Sequence, residues 1–242
     1  MTNTVLLNNV DHHDLRVITG HSAAFGDNIN QVQVLPTEFE DVQREYPIFL
    51  MKDANGEYLA IALLGLDKQE NLFLDEKGWQ ARYIPALQQR GPFFIGFHEQ
   101  AAEGGVRREP MIYVDLDHPR ISRTEGQPLF LPQGGNSPYL EAAAHTLRVI
   151  HRGVESGKAV FAAFDQMGLI EPVAVEIKLN DREQFTLPNY FTIAADKLAA
   201  LDGARLEQLN KSGLLRLAYA LVSSLPNVNR LIAAKNQRRA AG

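Results

Sequence analysis

The chain contains no cysteine. Disulfides, thiolate zinc sites and cysteine nucleophiles are therefore excluded, the redox state of the compartment leaves no trace, and His, Asp and Glu remain as the strong metal ligands. No apolar run approaches the roughly 20 residues that a membrane-spanning helix needs. The first residues, Met1 to Val10, carry neither a cationic segment nor a long apolar one, so a cytoplasmic location is expected. Export without a cleaved amino-terminal signal would escape that test. Net charge is small, -5 from 24 Lys and Arg against 29 Asp and Glu, and gives no broad basic footprint, so no nucleic-acid partner is expected. A Gly-x-Ser-x-Gly elbow and a phosphate-binding Gly-x-x-x-x-Gly-Lys are both absent, and Gly134-Gly135-Asn136-Ser137 is too short a glycine signal for a nucleotide. No cofactor is implied.

What is present is ordinary globular composition. With 242 residues, 45% apolar and 22% charged, the chain is long enough to bury a full core. The pattern predicts an α+β fold over 1–242, with a β-rich part at 1–133 and a helical part with a hairpin at 134–242. The densest signal runs from Tyr46 to Phe97. There, Tyr46 to Met51 and Glu57 to Leu64 flank Asp53-Ala54-Asn55-Gly56, and Asn-Gly supplies the positive φ of a tight turn. Asn71 to Leu74, a reversal at Asp75 to Gly78 and Trp79 complete an antiparallel β-meander, expected to be the core sheet. A short helix opens at Arg82-Tyr83-Ile84-Pro85, Gly91-Pro92 ends it, and Phe93 to Phe97 reads as a buried strand.

Before that stretch, Leu15 to Ile18 and Gln31 to Leu35 are strand candidates, and Pro36 to Glu40 starts a brief helix with Thr37 as its cap. After it, His98 to Arg108 reads as an exposed loop, Pro110 to Leu116 as a strand, and Asp117 to Gln133 as a long loop anchored by Leu129-Phe130-Leu131. Ser137-Pro138 is a strong helix start. That helix is expected to run to about Gly153, with Leu140, Ala143, Leu147 and Ile150 on one stripe, and a second from Ser156 to Met167. A hairpin follows, Glu171 to Leu179 and Gln184 to Ile193 around Asn180 to Glu183. Short helices at Ala195 to Leu201, around Arg205 to Asn210 and at Leu214 to Leu225, then a last turn from Asn227 to Lys235, close the chain. Trp79 and Tyr83 are expected to bury their rings between the meander and the carboxy-terminal helices.

Several of these segments carry a family resemblance. Tyr46-Pro47-Ile48, Ala62-Leu63-Leu64-Gly65, Glu70-Asn71-Leu72-Phe73, Arg82-Tyr83-Ile84-Pro85 and Gly91-Pro92-Phe93 resemble the bacterial SapC family. So do Asp115-Leu116-Asp117, Glu125 to Phe130, Ser137-Pro138-Tyr139-Leu140, Gly168 to Pro172 and Asn227 to Leu231, so the likeness covers most of the chain. It implies a link to the bacterial cell surface: the family is named for surface-layer biology, and its members tend to be encoded beside outer-membrane uptake receptors. It implies no catalytic residue. The identically named permease of an antimicrobial-peptide transporter is a different protein, excluded by the lack of membrane spans.

The chemistry-bearing patterns are few. His12-His13-Asp14 holds the His-x-Asp order of a facial iron site, with His145 or His151 as third ligand, and so motivates an iron-oxygenase alternative. A polar approach to a strand is the commoner meaning of such a pair. Asp115 and Asp117 would stand side by side on a strand, able to bind a ligand or a hard cation; a solvated strand end accounts for them equally. Glu141, His145, Arg148 and Arg152 share a helix face, usually for surface pairing, and Lys235 to Arg239 reads as a solvated basic tail. Asn136, Ser137 and Tyr139 at the helix start could line a pocket for a carboxylate, against simple capping by Ser137. The preferred reading is a non-enzymatic binding or accessory protein for a peptide, a protein or a small polar ligand. A homo-oligomer is compatible with it.

Overall fold

The computed structural model describes residues 3–102, 105–180 and 183–241, with side chains outside 98–108, 175–187 and 241. In chain order the elements begin with β1 (Thr4–Leu6), β2 (Arg16–Val17), β3 (Gln31–Val34), α1 (Phe39–Val42), β4 (Ile48–Lys52) and β5 (Tyr58–Leu63). Then come β6 (Leu74–Asp75), β7 (Gly78–Trp79), α2 (Ala86–Gln89), β8 (Phe93–Ala102), β9 (Gly105–Asp115), β10 (Ile121–Ser122) and β11 (Gln127–Pro128). The rest is α3 (Pro138–Gln166), β12 (Ile170–Asn180), β13 (Glu183–Ile193), α4 (Ala195–Ala199), α5 (Gly203–Lys211), α6 (Leu214–Ser224) and α7 (Val228–Ala241). The fold class is α+β, with strands concentrated in the first half and helices plus a hairpin in the second.

The β4–β5 hairpin forms in the expected place, with Asp53 accepting from the backbone N–H groups of Asn55 and Glu57 in its turn. Its neighbours come from elsewhere: the antiparallel central sheet has the order β12-β13-β4-β5-β3. Strand period places alternate residues on opposite faces. Ile48, Leu50, Ala60 and Ala62 join the larger core, with Val160, Phe161 and Phe164 of α3 and Leu217, Ala218 and Leu221 of α6. Phe49, Ile61 and Leu63 face the other way, onto Tyr190 and Leu231 of α7. The run at Asn71 to Trp79 does not rejoin this sheet; among the described residues β6 and β7 pair with each other alone. Phe93 to Phe97 begins a second sheet, β1-β9-β8. There the backbone of 98–102 and 105–108 is paired strand rather than exposed loop, because the β8–β9 ladder continues to Ala102 and Gly105. Glu103 and Gly104, and the turn residues Asp181 and Arg182 of the second hairpin, lie outside the described residues. The segment anchored by Leu129 and Phe130, both buried, returns β10 and β11 to flank β2.

Helix α3 is one element of 29 residues, about 43 Å long at 1.5 Å per residue, not the two shorter helices that its glycines suggest. Its first half, through Leu140, Ala143 and Leu147, covers the second sheet. Its second half covers the central one. Gly153 reads locally as a helix end, but it lets the Leu35–Thr37 turn approach closely: a Cβ there would sit 2.6 Å from Leu35 Cβ and 2.7 Å from Thr37 Oγ1. Thr37 therefore does not cap; its hydroxyl donates to the Val149 carbonyl at 3.2 Å. Glu38 takes the capping role by accepting from Leu35 N at 3.0 Å. The same carboxylate, 2% exposed, also accepts from Tyr83 Oη at 2.7 Å and Ala86 N at 2.8 Å. Burial pushes Glu38 up in pKa against those three donors.

Trp79 is buried in the larger core, its ring edge-on to His21 at 5.6 Å and its Nε1 donating to Tyr46 Oη at 2.8 Å. Tyr46 Oη in turn donates to the Tyr83 carbonyl at 2.6 Å. The carboxy-terminal turn is a full helix, α7, and Lys235 is not solvated: it is 7% exposed, with Nζ 2.5 Å from both Asp67 Oδ2 and Glu70 Oε1. Ion pairs to the 67–70 segment hold this helix where an apolar stripe is thin.

Two substitutions separate the glycines. Gly153→Ala should destabilise by about 1–3 kcal/mol through overpacking, whereas Gly157→Ala, whose new Cβ would meet nothing nearer than 3.9 Å, should gain up to about 1 kcal/mol of helix propensity; urea unfolding reads both. Glu38→Gln should cost about 1–3 kcal/mol in the same assay, since its amide leaves at least one buried backbone N–H without an acceptor.

Candidate functional site

Helix α2 is a single turn whose last carbonyls give way at Arg90, and Gly91 adopts φ +56° to lead into β8. Arg90 is thus fixed between a helix end and the first strand residue, Phe93, which is fully buried. Against this corner α3 lays Leu147, Ile150, His151 and Val154, the i, i+3, i+4, i+7 set of one helix face. Together with Phe94, Ile95 and Phe97 of β8 they line a groove of about 220 Å³. Phe97 and Val154 stand at 48% and 56% exposure, more open than large apolar groups buried in a core. The Phe97 ring lies 5.5 Å from that of His151, and His151 Nε2 is 3.5 Å from Glu155 Oε1.

The Arg90 guanidinium is the charged group of this groove. It rests over the Phe94 ring, 4.2 Å to the centroid, and its hydrogen bond to the Phe93 carbonyl is stretched to 3.5 Å. Among the residues with described side chains, no carboxylate stands within ion-pair distance of it. Burial lowers its pKa, the direction expected of a cation taken from water without an anion.

Behind Gly91 lies a second, satisfied cluster. Arg120, 4% exposed, donates to the carbonyls of Ile18 and Gly20 and to Asp27 Oδ2 at 2.7 Å, and stacks over Phe25 at 4.8 Å. His21 Nδ1 is 3.2 Å from both Arg120 Nη2 and Asp27 Oδ2, accepting from the first or donating to the second according to its tautomer. Gln88 Nε2 donates to Asp27 Oδ1 at 2.6 Å. Burial raises the Asp27 carboxyl, but the hydrogen bonds from His21 and Gln88 and the charge of Arg120 together carry it below its ordinary value. With the Arg120 and Asp27 charges paired, this cluster is a joint between the 18–27 segment and the loop after β9.

A family model described as SapC matches residues 7–231. The chain belongs to the SapC family. No curated protein and no solved structure matches it.

In this SapC chain the residues singled out from sequence fall in several places. Ser137 is buried and its hydroxyl accepts from Leu140 N at 3.1 Å, the capping geometry. Asn136 is exposed and donates to Glu141 Oε1 at 2.7 Å. Tyr139 packs on Phe93, ring centroids 6.2 Å apart, and burial pushes its hydroxyl up to about 12. Asp115 is buried and accepts from Asp117 N at 3.1 Å, while Asp117 is exposed, so the strand ends before the two carboxylates can stand side by side. His12 is buried, its Nδ1 accepting from Asn8 N at 3.2 Å, and Asp14 is gripped by Arg123. Among the described residues no three His, Asp or Glu side chains converge as metal ligands, and no helix is long and apolar enough to cross a membrane. Sequence reasoning missed Arg90: a lone arginine between Gln89 and Gly91 gives no local signal.

His118 adjoins both clusters. Its Nδ1 accepts from Arg120 N at 3.2 Å, and burial, then Arg120, hold its pKa below the ordinary 6.5. An unfolded chain takes up this proton near pH 6.5 and the folded chain only at lower pH, so stability should fall as pH drops below about 6.5. Urea midpoints between pH 8 and 5 should show that loss, and His118→Asn, which keeps an acceptor for Arg120 N but does not titrate, should reduce it.

Proposed function

We propose that this SapC-family chain is a non-enzymatic binding or accessory protein, acting from the cytoplasm in support of cell-surface or outer-membrane-receptor uptake. One observation supports binding above all: Arg90 carries a partly buried guanidinium into an apolar groove without a carboxylate partner among the described side chains. A structural arginine is normally satisfied as Arg120 is. An uncompensated charge beside exposed Phe97 and Val154 is the pattern of a concave site that waits for a complementary ligand. The link to uptake rests on the family resemblance.

Native mass spectrometry of untagged protein tests the reading. Wild-type protein should carry a small adduct whose occupancy falls at least tenfold in Arg90→Gln, consistent with loss of a charge-assisted bond worth about 1.5–3 kcal/mol. A spectrum without any adduct, or stoichiometric iron that is lost on His12→Ala, would count against it.

A further inference from the structure

We infer that the groove between α3 and β8 binds a short aliphatic monocarboxylate, its acid group on Arg90 and its chain along Ile95, Leu147, Ile150 and Val154. This rests on the binding-protein reading above and adds the chemical class of the ligand.

Three features of the groove select that class. The first is charge: one guanidinium with no acid beside it among the described side chains calls for one anionic group. Arginine presents a planar fork of N–H donors that matches a carboxylate in two parallel hydrogen bonds. Stacking on Phe94 at 4.2 Å fixes one face of that fork and leaves its edge for the acid. The second is polarity. Apart from Arg90 and His151, the lining is Phe94, Ile95, Phe97, Leu147, Ile150 and Val154, and His151 is already turned to Glu155. The groove therefore offers little to a polyol, a peptide backbone or a second charge, whose polar groups would be desolvated without partners. The third is size. At about 220 Å³ the groove is smaller than the roughly 300–1,000 Å³ of sites for drug-sized ligands, which suits a chain of several methylenes. Its open rim at Phe97 and Val154 lets the chain end remain at the surface. Each methylene taken from water should strengthen binding about fourfold.

Isothermal titration of the full chain with octanoate, hexanoate, octan-1-ol and octylamine tests the inference. Octanoate should bind one to one, about sixteenfold more tightly than hexanoate. Octan-1-ol should bind weakly, and octylamine, which brings a second cation, should not bind. Arg90→Gln should weaken octanoate at least tenfold and leave octan-1-ol unchanged. Should Arg90→Gln fail to fold, Val154→Glu serves instead: position 154 is 56% exposed, so this variant should keep the wild-type melting temperature while a like charge at the rim weakens octanoate at least tenfold. Octanoate that fails to bind, or binds the wild type and the folded variant equally, overturns the inference. An Arg90-dependent adduct of another chemical class in the native mass spectrum overturns the ligand class alone, whereas neither octanoate binding nor any such adduct removes the binding reading as well.

Discussion

The close approach of α3 to the Leu35–Glu38 turn is the constraint on which the rest of the structure depends. Gly153 has no side chain, so Leu35 and Thr37 occupy the space a Cβ would fill, and the hydroxyl of Thr37 reaches the Val149 carbonyl. The turn follows directly on β3, the edge of the central sheet, and so the helix is docked to the sheet through backbone-scale contact. Glu38 then ties this point to Tyr83 and Ala86 from the segment leading to α2. Burying a carboxyl there would be costly by itself, and three donors offset the loss of water.

The groove is a consequence of that joint. Glu38 holds the start of α2, and Gln89 at its end accepts from Thr146 of α3 at 3.0 Å, so the single turn carrying Arg90 is pinned at both ends relative to α3. A short helix has little stability of its own; here its position is imposed by its partners. The spacing between Arg90 and the Leu147–Val154 face is thereby fixed by the fold itself.

Three buried or half-buried cations answer the desolvation problem differently. Arg120 is surrounded by Asp27 and two carbonyls, Lys235 by Asp67 and Glu70, and each locks two distant stretches of chain together. For Lys235, burial acts to lower the pKa, yet the bonds from Asp67 and Glu70 leave it raised. Arg90 has an aromatic face and a stretched bond to one carbonyl. Its environment differs from the other two in lacking an anion among the described side chains, so it fastens no second stretch of chain through an ion pair there.

Much of the local structure was legible in the residues. The Asp53–Gly56 turn, the Ser137-Pro138 helix start and the apolar stripe of α6 depend on neighbours within a few positions, and each formed where the pattern puts it. The long-range choices were not. That β13 pairs with β4 and β3 with β5 reflects hydrogen bonds and apolar contacts between segments far apart in sequence, which no local period encodes. Gly153 looked like a helix end because propensity penalises glycine, but the tertiary contact with Leu35 overrides a penalty of about 1 kcal/mol. Lys235 looked solvated because the anions that bury it, Asp67 and Glu70, precede it by more than 160 residues. By itself, then, the sequence determined the Asp53–Gly56 turn, the Ser137 cap, the family and the amphipathic faces, all set by side chains close along the chain. Only the tertiary structure decided which strands pair and which charges find partners, since a charge without an anion among the described side chains, as at Arg90, is defined by everything that folds around it.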